Sequence, residues 1–147
     1  MNRKVRNMQT VKKGNNLQGA AAIDPEALSL HDAAILALEA RSEDGFLEEI
    51  TLSLRLENGT FVRLRFSGCF SASLELSQWI RGGDSIRSWS FAMTPGQREC
   101  VSAYERRTRV NLSEKLRAFS ADTNSTASRI ELLCSSITAT VAARLTG

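Results

Sequence analysis

The sequence contains a single histidine, His31, and only three cysteines, Cys69, Cys100 and Cys134. One imidazole excludes a histidine-rich metal centre within one chain. The cysteines are odd in number and widely spaced, with no Cys-x-x-Cys pair, so a cysteine-based zinc or redox site is not expected. They read as small, reduced, mostly buried residues. Long apolar runs are missing too. None approaches the ~18 residues of a membrane-spanning helix. The basic N-terminus is not followed by the apolar stretch of a signal peptide. A cytoplasmic protein is therefore expected. There is no Gly-x-Ser-x-Gly elbow, no phosphate loop and no Gly-x-Gly-x-x-Gly. These absences remove the common catalytic templates. The expectation is a protein that is not an enzyme and uses no metal or cofactor.

What charge there is lies unevenly. Arg3, Lys4, Arg6, Lys12 and Lys13 all precede the first acid, Asp24. Setting those five aside from 19 basic residues leaves 14 against 16 acids, so the remainder carries −2. Net charge thus gives no sign of a basic domain face. Residues 1–22 read as a flexible basic tail and residues 23–147 as a single globular domain, a common domain size. Contact between the tail and nucleic acid is an alternative use of that charge.

Residues 25–41 admit two readings. Asp24–Pro25–Glu26 resembles a helix cap with proline in the first turn, and Ala27 to Leu38 is rich in helix formers. Local propensity thus reads as helix, but a strand starting near His31 is the other reading, because Ala34, Leu36, Leu38 and Ala40 alternate with other residues. The next segment has one reading. Ile50, Leu52, Leu54 and Leu56 alternate with polar residues, as do Val62, Leu64 and Phe66 after Glu57–Asn58–Gly59. This is a β-hairpin with one buried and one wet face. A two-residue turn would set Leu54 opposite Arg63 and Leu52 opposite Arg65, mixing core with charge. A three-residue loop sets Leu54 opposite Val62, Leu52 opposite Leu64 and Ile50 opposite Phe66, with Gly59 in the left-handed position. The latter register is expected, with Arg55, Arg63 and Arg65 outward.

A bend at Gly68 and a third strand over Ala72–Leu76 follow. Arg81–Gly82–Gly83–Asp84 signals a turn, and Ile86 to Met93 a fourth strand. A meander is the simplest arrangement. Thr94–Pro95–Gly96–Gln97 forms a capping box, so a short helix is expected over about residues 95–107. Leu112, Leu116 and Phe119 extend or repeat it, and Ser120 to Ser128 reads as a loop. Ile130 to Leu145 supplies closing strands whose parity changes at Ser135–Ser136, through a bulge or a turn. The fold class is mainly β, with α+β as the alternative.

Three groups of residues are candidates for a site. His31 and Asp32 form a pair that either orients backbone or serves a small enzyme, with a cysteine as the available nucleophile. Glu43, Asp44, Glu48 and Glu49 surround Gly45 as an acidic turn. Trp79, Arg81, Arg87 and Trp89 flank the Gly82–Gly83 turn. Tryptophan and arginine are the residue types in which binding energy concentrates, so these four are the candidate binding residues.

Leu30–His31–Asp32–Ala33, the Ile50–Leu56 strand, the Asn58–Gly59 turn and Leu64–Arg65–Phe66–Ser67–Gly68 together carry a likeness. Over about residues 29–93 the chain resembles small β-rich bacterial domains of unknown function. That group includes immunity-type proteins of polymorphic toxin systems. The resemblance implies that the His-Asp pair opens a strand and that the partner is another protein. Residues 94–128 have no counterpart in it. The expected function is a non-enzymatic protein-binding module, immunity-like in kind.

Overall fold

The computed structural model describes residues 20–75, 84–125 and 128–142. The described elements are β1 (Ala20–Ile23), a 3-10 turn (Pro25–Ala27), β2 (Ala34–Glu43), β3 (Phe46–Arg55), β4 (Phe61–Glu75), β5 (Ile86–Ser90), α1 (Pro95–Thr108), β6 (Arg117–Thr123) and β7 (Arg129–Ala142). The fold is mainly β, one antiparallel sheet with a single α-helix and closing C-terminal strands, as the alternation predicts. The strand order is β2-β3-β4-β7-β6-β5, with β1 beside the far end of β7. This is two three-stranded meanders, β2–β4 and β5–β7, joined where β4 lies against β7. It differs from a single running meander, because β5 pairs with β6 and not with β4.

The β3–β4 hairpin has the predicted register. Ile50 faces Phe66, Leu52 faces Leu64 and Leu54 faces Val62. Gly59 takes φ +91, and its N–H donates to the Leu56 carbonyl at 2.8 Å. Asn58 Oδ1 accepts from the Thr60 N–H at 2.9 Å, fixing the loop. The six apolar residues of these three pairs are all buried in one cluster. Each such side chain contributes about 1.5–3 kcal/mol relative to exposure.

Residues 24–43 resolve into a turn and a strand. Asp24 does cap, accepting from the Glu26 N–H, but the helix stops after one 3-10 turn. From Ala34 the backbone pairs with β3 along its whole length, and this tertiary ladder overrides the alanines' helical preference. A bulge between Ile35 and Ala37 displaces Leu36, which is 41% exposed, while Ile35 is buried. The simple alternation placing Leu36 with Leu38 is corrected by that extra residue.

β4 is one strand, not two. Gly68 does not end it; it bends it, with φ +63 and a register shift against β7 just beyond. A Cβ on Gly68 would lie 2.2 Å from Ser135 Oγ. Ser135 donates to the Ser67 carbonyl at 3.0 Å across the same bend. β7 runs unbroken through Ser135–Ser136, so no turn separates its two apolar sets, and the one register shift of this ladder falls between Cys69 and Ser71 on β4, opposite Cys134 and Leu133. Ala20–Ala22, grouped by composition with the tail, belong to β1, whose backbone pairs with β7. Short alanine side chains leave no periodic signal for such a strand.

The helix begins as predicted. Thr94 Oγ1 accepts from the Gln97 N–H and Gln97 Oε1 from the Thr94 N–H. Gln97 is buried and its Nε2 donates to the Leu132 carbonyl at 3.2 Å, tying α1 to β7. Val101 packs on Ala118 and Leu133, with Phe70, Met93, Leu112 and Leu116 around them. Leu112 and Leu116 do not extend the helix, and Phe119 to Thr123 are strand rather than helix or loop. Phe119 and Ala121 face the main core, while Ala118 faces the helix side. A strand covered on both faces loses the wet alternation by which strands are read.

Candidate functional site

The first residues of β2 meet those of β5, so the sheet curls until its outer strands touch. The Asp32 N–H donates to the Ile86 carbonyl at 2.8 Å, Ile86 N–H to Ala33 at 2.9 Å, and Ile35 N–H to Asp84 at 3.0 Å. A polar cluster sits on this seam. Asp84, only 4% exposed, accepts through Oδ2 from Ser125 Oγ at 2.7 Å. Its Oδ1 accepts from the N–H groups of Ser85 at 3.0 Å and Ser125 at 3.2 Å. Burial pushes the Asp84 carboxyl up, but hydrogen bonds from Ser125, Thr123 and Ser85 outweigh it and hold the group below the ordinary carboxylate value. Asp84 is thus a fixed anionic acceptor at neutral pH.

His31 and Asp32 occupy the exposed rim of the same seam, at a turn where Asp32 takes φ +60. His31 Nδ1 lies 3.3 Å from Asp32 Oδ2. Asn124 Nδ2 donates to Asp32 Oδ1 at 3.0 Å and to Ser85 Oγ at 2.8 Å. The two side chains thus meet each other and Asn124 just ahead of the strand opening. Beside His31 lies a hollow of about 300 Å³, edged by Ser29, Leu56, Glu57 and Asn58. That is the lower limit of ligand-sized pockets. The cysteines are engaged elsewhere. Cys69 and Cys134 are register partners at the Gly68 bend, and Cys100 is exposed on α1. Burial raises the thiols of half-buried Cys69 and buried Cys134, the latter to about 12 with Cys69 adding to the rise, so both stand protonated at neutral pH.

The four residues flanking Gly82–Gly83 divide. Trp79 and Arg81 lie outside the described residues. Arg87 is exposed at a register shift in β5. Trp89 is half-buried and packs against the main core, as does Phe91. Trp89 therefore has a structural use on its inner side. Among the described residues no group of three or more His, Cys, Asp or Glu side chains could hold a metal ion. No helix among them is long and apolar enough to cross a membrane.

The β2–β3 tip was legible in part. Asp44 at φ +54 and Gly45 at φ +83 form the two-residue turn with both central residues left-handed that hairpins favour. Of the four acids there, Glu49 is neutralised. Its carboxylate meets Arg41 at 2.9 Å and Arg65 at 2.6 Å. Glu43 lies 3.9 Å from Arg41 and is the register partner of Phe46, which is 75% exposed. Reading the acids alone missed Phe46, whose signal was an aromatic directly after Asp-Gly. Asp84 and Asn124 were likewise missed. Their signal was polar residues at the two ends of segments that look like loops.

No protein-family model matches the chain, and no curated protein matches it.

Proposed function

We propose that the protein is a non-enzymatic binding module whose partner is another protein, in the manner of the immunity-type domains that its first half resembles. The observation that carries this reading is Phe46. A large aromatic side chain left 75% exposed stands at the end of a rigid two-residue hairpin turn. Apolar surface held out in this way is stabilised when a partner covers it, and aromatic anchors dominate interface energies. Asp44 and Glu48 stand two residues from it on either side in the sequence, so the complementary surface is an apolar slot with a basic rim. An immunity-like protein would block such a slot by occupancy, which needs no chemistry of its own.

The test is co-purification of the full chain with the product of the neighbouring gene and from native lysate. Phe46→Ser is the control. Capture lost in that variant, with unfolding unchanged, supports the reading. Undiminished capture by the variant overturns the assignment to this tip.

A further inference from the structure

The outer face of β3, β4 and β7 carries charge that the net balance of the sequence hides. Opposed residues share a face. Arg55 pairs with Phe61, Ser53 with Arg63 and Thr51 with Arg65. On the other side of β4, Arg63 pairs with Thr140 and Arg65 with Thr138. Arg55, Arg63 and Arg65 are exposed. Adjacent members of the trio stand about 7–8 Å apart, as diagonal or alternate neighbours in a sheet. Arg65 meets Glu49, but among the described residues neither Arg55 nor Arg63 has an ion-pair partner. Two acids share the face, Glu39 in the row of Thr51 and Arg65, and Glu49 held between Arg41 and Arg65, but the rows of Arg55 and Arg63 contain none.

We infer that this face binds single-stranded nucleic acid through Arg55, Arg63 and Arg65. The reading is independent of the role given to Phe46. Three features favour a phosphate backbone over an acidic protein. Guanidinium groups bind phosphate through two parallel hydrogen bonds, and the Thr138 and Thr140 hydroxyls beside them add donors. Phe61, half-buried, is the register partner of Arg55, an aromatic residue next to the arginines of the kind on which bases stack. Finally, β1 joins the sheet at the end of the same row. Ala20 pairs with Ala142, Ala142 with Phe61, and Phe61 with Arg55. The chain bearing Arg3, Lys4, Arg6, Lys12 and Lys13 therefore connects to the fold beside these arginines.

Fluorescence anisotropy of a labelled oligothymidylate, with the full chain, tests this at about 50 and 200 mM salt. Arg55→Ser/Arg63→Ser is expected to weaken binding by about tenfold at the lower salt. It should also reduce the slope of log affinity against log salt by about 1.4, two contacts at ~0.7 each. Arg98→Ser/Arg106→Ser on α1 should bind as wild type, and a duplex of equal length should bind more weakly. Wild-type affinity in the Arg55/Arg63 variant overturns the inference, since the N-terminal cations would then suffice alone. Equal loss in the α1 variant, a preference for duplex, or equal competition by poly-glutamate also overturns it. The last outcome would assign the face to an acidic protein. Unfolding curves of both variants that match wild type keep these results attributable to the surface.

Discussion

The two meanders are built alike and covered differently. In β2–β4 the inner face is buried, while the outer face meets solvent through Arg55, Arg63 and Arg65. In β5–β7 the inner face is buried too, but α1 lies over the outer face, so that Ala118 and Leu133 are as closed as Phe119 and Leu132. One half therefore has a surface to offer a partner. The other spends both faces on stability. The joint between them is the long β4–β7 ladder, bent at Gly68.

Phe119→Ala should break this arrangement most severely. The ring is fully buried on β6, 5.2 Å from Phe66 and 5.3 Å from Phe91 by ring centroids, and so couples the covered half to the open one. A loss of about 3–5 kcal/mol is expected in denaturant unfolding. Gly68→Ala comes next, at about 2–3 kcal/mol, because it combines a left-handed φ with the approach to Ser135. Ser135→Ala in the same chain should restore part of that loss. A purely additive double-mutant cycle would contradict the proposed contact.

Asp84→Asn addresses the seam, where the meanders meet on their other edge. Its folded carboxyl lies below the ordinary value, so its contribution is complete above the ordinary carboxylate range. It fades as pH falls through the lowered folded value. The variant should lose about 2 kcal/mol at neutral pH. Its stability should also fall less steeply than wild type below about pH 4. Parallel pH curves for the two proteins would refute the role given to Asp84.

The smallest effect concerns the cover itself. Gln97→Glu keeps the acceptor for Thr94 but removes the donor to the Leu132 carbonyl, at a cost of about 1–2 kcal/mol. Hydrogen exchange should rise first in α1 and around Leu133, leaving β3 and β4 protected. Uniform acceleration would mean that the halves do not open separately.

The same difference in cover explains what could be read in advance. The β3–β4 register was legible down to single pairs, because one wet face leaves a period of two and only one loop length keeps Arg63 and Arg65 off the core. The helix start was legible because a capping box is local. β6 was not, since a strand buried on both faces and made of small residues shows no alternation. β1 was hidden because four short residues acquire a strand only from the β7 edge. The site was less legible than the fold. His31 and Asp32 were visible as a pair, yet Asn124 joins Asp32 from a distant segment, and Asp84 meets the Ile35 N–H from another. The arginines of the open face were visible as outward-facing residues, but a net charge of −2 beyond the tail concealed that the rows of Arg55 and Arg63 hold no acid.

The central claim is that recognition belongs to the open half. An amide chemical-shift map of the full chain during titration with oligothymidylate tests it most directly. The account predicts shifts concentrated at Arg55, Phe61, Arg63, Arg65, Thr138 and Thr140. Shifts confined to α1 or to the Asp84 seam, or no saturable shifts on the β3–β4 face, would contradict it.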